Sequence, residues 1–279
     1  MKNKLRSLFN TFYIFLAIGF SQVFCAFETL SSSAYNLALG NPAINVSGDG
    51  IGAQIDPGSL IQNQNIHFSG TIGNKFGVPN LKESSWLVGL PLQKYHVGFG
   101  VNSFGNNIYQ ESTISFITSG KIKNKISWGI SANYYSIFIQ NYGNASSIGI
   151  TLSWGTSLSE NFDFVGLITN INKPRIGLTR EVLPQYISSG FIFHFEEKIK
   201  AYLSWEQDLV FNGSLKFGAS YTPIPNFGIA LGSGSNPGIV TGGLFFSISK
   251  YKIEYGIISY ENVGRYSHKI SMYYTIPLS

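Results

Sequence analysis

The chain has 279 residues, of which 44% are hydrophobic, 15% aromatic and only 12% charged, with 31 Gly, 10 Pro and one Cys. A soluble domain runs nearer a quarter charged, so an ordinary cytosolic enzyme is disfavoured. Setting aside Lys2, Lys4 and Arg6 leaves 16 basic against 14 acidic residues, so the formal charge falls from +5 to +2 and nucleic acid is not implied as a partner.

Those three cations precede an apolar run from Phe12 to Phe20 and then Ser21-Gln22-Val23-Phe24-Cys25-Ala26. A positive start, an apolar centre and small residues after it read as a secretory signal peptide, residues 1–26, removed on export. The apolar centre is shorter than the roughly 20 residues a spanning helix needs. Phe24 stands where a lipoprotein signal wants a small residue, which disfavours Cys25 as a lipid acceptor. No cysteine follows, so no disulfide framework holds the exported body.

Residues 27–63 do not alternate and are rich in turn formers. Within them stand Ala38-Leu39-Gly40, then Asp49, then Asp56-Pro57-Gly58-Ser59-Leu60. The segment is too short to fold alone. It is expected to enter a barrel as a plug or to lie on its periplasmic rim as a cap.

From residue 64 onward the chain alternates with period two. Ile126, Trp128, Ile130, Ala132 and Tyr134 alternate with Lys125, Ser127, Gly129, Ser131 and Asn133; Ile199, Ala201, Leu203 and Trp205 alternate with Lys200, Tyr202, Ser204 and Glu206. Such segments put apolar and polar side chains on opposite faces of a strand. Strands are expected at 64–71, 84–92, 95–102, 112–118, 125–138, 147–156, 162–168, 186–195, 199–206, 214–222, 227–232, 240–248, 251–258 and 267–276. The links between them are alternately short and mostly longer.

A soluble β-sandwich would alternate in the same way, but this asymmetry of links belongs to outer-membrane barrels. Residues 64–279 also allow about 15 residues for each of 14 strands with its link, enough for a spanning strand of about 9–11. The expectation is an all-β chain: a transmembrane antiparallel barrel of about 14 strands over 64–279, preceded by the plug or cap. Lys200, Glu206, Lys216, Lys252, Glu254 and Lys269 share polar faces and are expected in the lumen, hydrated or paired. Tyr134, Trp154, Phe162, Phe164, Trp205, Tyr221, Tyr255 and Tyr274 are expected at strand ends, as interfacial girdles. The longest link, 169–185, carries Lys173, Arg175, Arg180 and Glu181 and is the candidate docking loop.

Signals of chemistry are sparse. His67, His96, His194 and His268 are scattered without metal-ligand spacing, and Gly232-Ser233-Gly234-Ser235-Asn236 lacks the pattern of a nucleophile elbow. No catalytic residue, metal or cofactor is expected, and the chain reads as a non-enzyme.

The N-terminal motifs stand in order with Tyr255-Gly256, Gly264 and Ser267-His268-Lys269-Ile270-Ser271-Met272 near the other end. Together they resemble the PorV/PorQ branch of the FadL-like outer-membrane proteins. That resemblance implies a 14-stranded barrel in the bacterial outer membrane, embedded in its lipid. It also implies a docking or shuttle role in type IX-like protein secretion, with a secretion-system barrel or secreted cargo as partner. The wider FadL-like resemblance implies transport of hydrophobic small molecules through a plugged barrel. The chain departs from the family at Asp56, usually Asn, at Gly58, usually Ala, and in lacking a terminal aromatic.

Overall fold

The structure, a computed structural model, describes residues 26–27, 32–123, 125–196, 198–208, 212–261 and 266–277. The expected leader, Ala26 apart, lies outside the described residues. No helix among the described residues is long and apolar enough to cross a membrane, which says nothing about crossing by strands.

Strands β1 (Ile66–Asn74), β2 (Lys82–Pro91), β3 (Tyr95–Gly105), β4 (Tyr109–Ile122), β5 (Ile126–Ile139), β6 (Gly143–Ser159) and β7 (Phe162–Ile168) follow one another around a wall. A two-stranded hairpin comes next, β8 (Arg175–Ile176) and β9 (Glu181–Val182). The wall resumes with β10 (Tyr186–Phe195), β11 (Ile199–Asp208), β12 (Ser214–Ile224), β13 (Phe227–Gly234), β14 (Ile239–Ile248), β15 (Tyr251–Tyr260) and β16 (Tyr266–Ile276). Among the described residues these make a closed antiparallel barrel of 14 strands, and the hairpin is a separate two-stranded sheet. β1 closes on β16 in register from Ile66↔Ile276 to Asn74↔His268. Closure leaves no edge strand to protect.

The faces are inverted relative to a soluble protein. On β5, Ile130 and Tyr134 point out and are exposed, while Ser131 and Asn133 point in and are buried. On β16, Ile270 and Met272 are exposed while Ser271 and Lys269 are buried. A soluble sandwich would hide the apolar face; here it forms the outer wall, which only lipid can cover at low cost. Three tryptophans of that wall lie over glycines of the neighbouring strand, Trp86 on Gly70, Trp128 on Gly120 and Trp154 on Gly166. Each large ring fills the gap that a missing side chain leaves.

All the expected strands are present, but several run further at the end bearing the longer links, called here the upper end. Links expected at 103–111 and 140–146 shrink to 106–108 and 140–142. The apolar alternation stops where lipid stops, whereas the backbone ladder needs no apolar side chain to continue. Tyr134, expected near a strand end, lies well inside β5, whose observed bounds differ from the expected ones by one residue at each end. Tyr255 is a plainer correction: it sits mid-strand in β15, paired with Leu244 and Ile270.

Residues 32–63 lie inside the ring rather than on its rim, and most are buried. They form a short helix α1 (Ala34–Ala38), capped by Ser33 whose side chain accepts from Asn36 N, and 3-10 turns at Ile51–Gln54 and Pro57–Gln62. Tyr35, Leu39, Ile44, Val46 and Ile55 pack with wall residues Leu167, Ile192, Tyr202 and Phe245. Leu60 and Ile51 pack with Leu87, Ile117 and Tyr273.

Candidate functional site

The inner face and the segment it encloses make the candidate site, and wall charges join the two. All six expected lumen charges face inward, and each touches the segment. Lys200 Nζ donates to the Val46 carbonyl (3.2 Å), Lys216 Nζ to that of Asn41 (2.8 Å) and Lys269 Nζ to that of Ser32 (3.4 Å). Glu206 Oε1 accepts from Ala43 N (2.6 Å) and Glu254 Oε2 from Tyr35 N (3.0 Å). Lys252 places its ammonium 4.8 Å from the Tyr35 ring centre, with the rings of Phe245 and Tyr273 at 5.3 and 5.5 Å. A cation among π faces is attracted by their quadrupoles.

The charges also pair with one another. Lys216 meets Glu206, Lys252 meets Glu254 and Lys269 meets Glu83, each at 2.7 Å. Charges taken out of water need such partners. Glu83 and a second inward carboxylate, Glu111, were missed in the sequence because each fell in an expected link just beyond a strand. Continuing the inward phase Ser85–Leu87 back to Glu83, and Thr113–Ser115 back to Glu111, would have found both. Glu111 accepts from Phe27 N (2.9 Å) and from the Tyr109 hydroxyl (2.6 Å).

The N-terminal motif residues also acquire physical roles. Ala38 is fully buried, and its carbonyl accepts from Thr241 Oγ1 (2.7 Å). The Leu39 carbonyl accepts from the Tyr202 hydroxyl. Gly40 has φ +96°, where an added Cβ would also meet that hydroxyl, so no other residue fits without strain. Asp49 accepts from the Ser33 hydroxyl and from Gly52 N (2.6 Å), tying the α1 cap to the next turn. Asp56 Oδ2 accepts from Asn45 N (3.3 Å). Burial pushes the Asp56 carboxyl up to about 6, against the opposing hydrogen bonds from Ser153 and the backbone. Pro57 opens the last turn, and Leu60 gives its carbonyl to His96 Nδ1 (3.2 Å). Gly129 lets the wall touch this turn, since a Cβ there would lie 2.1 Å from Gly58 N.

The link 169–185 is more than a loop. β7 has 7 residues against 17 in β6 and 10 in β10, so its ladder with β6 reaches no higher than Leu152. Above that point the link itself meets β6. Ile171 N donates to the Ile150 carbonyl (2.9 Å), while Asn172 accepts from Ile150 N (2.9 Å) and donates to the Ile148 carbonyl (2.8 Å). The β8–β9 hairpin then turns Ile176 inward, where it and Leu183 pack with Phe27 and Tyr135. Lys173, Arg175 and Arg180 are exposed, and Glu181 is half-buried. These four stay together on the link, apart from the charges of the lumen.

The four histidines lie on different strands. His194 Nε2 lies 2.8 Å from Asp163 Oδ2 at the lower end. Among the described residues no group of His, Cys, Asp or Glu is placed to hold a metal ion.

No protein-family model and no curated protein matches the chain. Solved structures do match its fold. The monoaromatic hydrocarbon channel CymD superposes with a TM-score of 0.72 at 11% identity, covering 91% of this chain and 100% of that one. The toluene transporter TbuX of Ralstonia pickettii gives 0.67 at 10% identity over 90% and 100%. A FadL homologue from Pseudomonas aeruginosa gives 0.62 at 8% identity over 87% and 98%. At such identities the likeness shows the fold alone.

Proposed function

We propose that the protein is an outer-membrane channel for hydrophobic small molecules, exported by the leader 1–26 and closed inside by the segment 32–63. The carrying observation is the seam beside β7. There the wall ladder ends early, and a link closes it over the apolar cluster of Phe27, Tyr135, Ile176 and Leu183. An apolar solute has little affinity for a lumen lined with serines and ion pairs. A seam beside an apolar cluster and next to lipid offers it a way out.

The matched structures support this reading, being named as a hydrocarbon channel, a toluene transporter and a FadL homologue. The docking role in secretion, drawn from the PorV/PorQ resemblance, takes second place. What favours it is the exposed basic hairpin, and a second occupant for that surface is argued below.

The test is initial-rate uptake of labelled toluene by cells expressing the full chain in a host lacking its own channel of this fold. We expect uptake several-fold above cells without the protein. Uptake equal to the empty host, with a folded barrel shown by its heat-modifiable gel mobility, would sink the transport reading.

A further inference from the structure

The hairpin over the seam stands where the apolar wall ends. On β6 the outward series Trp154, Leu152, Ile150 and Ile148 gives way to exposed Ser146 and Asn144, with Phe138 of β5 paired beside Asn144. Asn172 is bonded to the backbone at Ile148 and Ile150, so the residues that follow it leave the wall at the edge of the lipid band. The first is Lys173, exposed and held at φ +51°. On β8, Ile176 points in and Arg175 points out, and Arg180 is exposed with φ +55° at the hairpin turn. Leu178 and Ile171 are exposed apolar neighbours of these cations. None of the three cations is in an ion pair among the described residues.

We propose that Lys173, Arg175 and Arg180 form a binding site for the phosphorylated headgroup of an outer-leaflet glycolipid, with Ile171 and Leu178 against its apolar part. Guanidinium groups suit phosphate oxygens bidentately. Basic side chains at a membrane surface each add to the attraction of anionic lipid. The inference goes beyond transport and rests on the outer-membrane placement, with the longer links outside.

The test uses the full barrel in detergent, titrated with bisphosphorylated lipid A and with its dephosphorylated form, bound lipid being read by native mass spectrometry. The wild type should prefer the phosphorylated form by at least about tenfold, and K173E/R175E/R180E should lose that preference. The control K121E/K123E/K125E, at the lower end, should keep it. Equal preference in the hairpin variant and the wild type would overturn the proposal. So would abolition of binding by millimolar inorganic phosphate, because the site would then read phosphate rather than a headgroup. Labelling of L178C by an impermeant maleimide in whole cells checks the placement itself. An unlabelled hairpin would remove the placement and the proposal together, while toluene uptake is scored separately.

Discussion

The wall from β11 to β16 and the wall at β6–β7–β10 treat what lies against them differently. The first grips the N-terminal segment through Lys200, Glu206, Lys216, Lys252, Glu254 and Lys269, with neighbouring strands paired along nearly their whole lengths. The second has a short strand; above it, among the described residues, the link meets β6 through the Asn172 side chain and one backbone hydrogen bond, β5 through Asn170 Oδ1, which accepts from the Tyr135 hydroxyl (3.1 Å), and β10 through Thr169 N, which donates to the Tyr186 carbonyl (2.9 Å). Local opening is easiest where few buried bonds must break together. The anchored side therefore holds the segment in place, and under the proposed function the seam is the side expected to yield.

The anchored side is weakened most at Glu254. Glu254→Ala leaves the half-buried Lys252 without its carboxylate and removes the acceptor of Tyr35 N. Stranding one member of a fully buried pair costs about 3–5 kcal/mol, and the water that reaches Lys252 lowers the cost here below that. We expect hydrogen exchange over 34–40 to rise by orders of magnitude while the barrel keeps its heat-modifiable mobility. Unchanged exchange would mean that the charges do not hold the segment.

Asp56 makes the hold on the segment depend on pH. Its folded value, about 6, lies above its ordinary value of 3.8, so the folded segment binds the proton more tightly. The resulting stability is present in full below about 4, falls as pH rises through about 6 and is gone above it. The span of about two pH units bounds the effect at ~3 kcal/mol. Exchange over 45–60, corrected for intrinsic rates, should be faster at pH 7.5 than at pH 5. Exchange on β8–β9 should not follow.

The smallest expected effect is at the seam. Asn172→Ala removes both side-chain bonds to β6, each contributing about 0.5–1.5 kcal/mol. The Ile150 amide should exchange roughly tenfold faster, and that of Met272 should not change. If Ile150 stays protected, the link is not what closes the upper edge of β6.

Much of this was legible without coordinates. The strand number and the inward phase of the six lumen charges follow from local pattern, whereas the motif residues of 27–63 stand out only through the family resemblance. Legibility failed where the pattern lost its physical cause. Glu83 and Glu111 lie on ladder that continues above the lipid, where polar residues occupy both faces and alternation disappears. The hairpin escaped because its two strands are two residues each, too short to show any period.

A barrel of lipid-facing strands with a polar interior is written in local residue order, because side-chain alternation is a property of neighbouring residues. Which charges meet, and what they hold, follows from the closed ring and the segment inside it. Lys269 finds Glu83 across 186 residues of chain, and Lys200 finds the Val46 carbonyl across 154. Such pairings depend on how the ring closes and how deep the N-terminal segment sits. No local spacing encodes either.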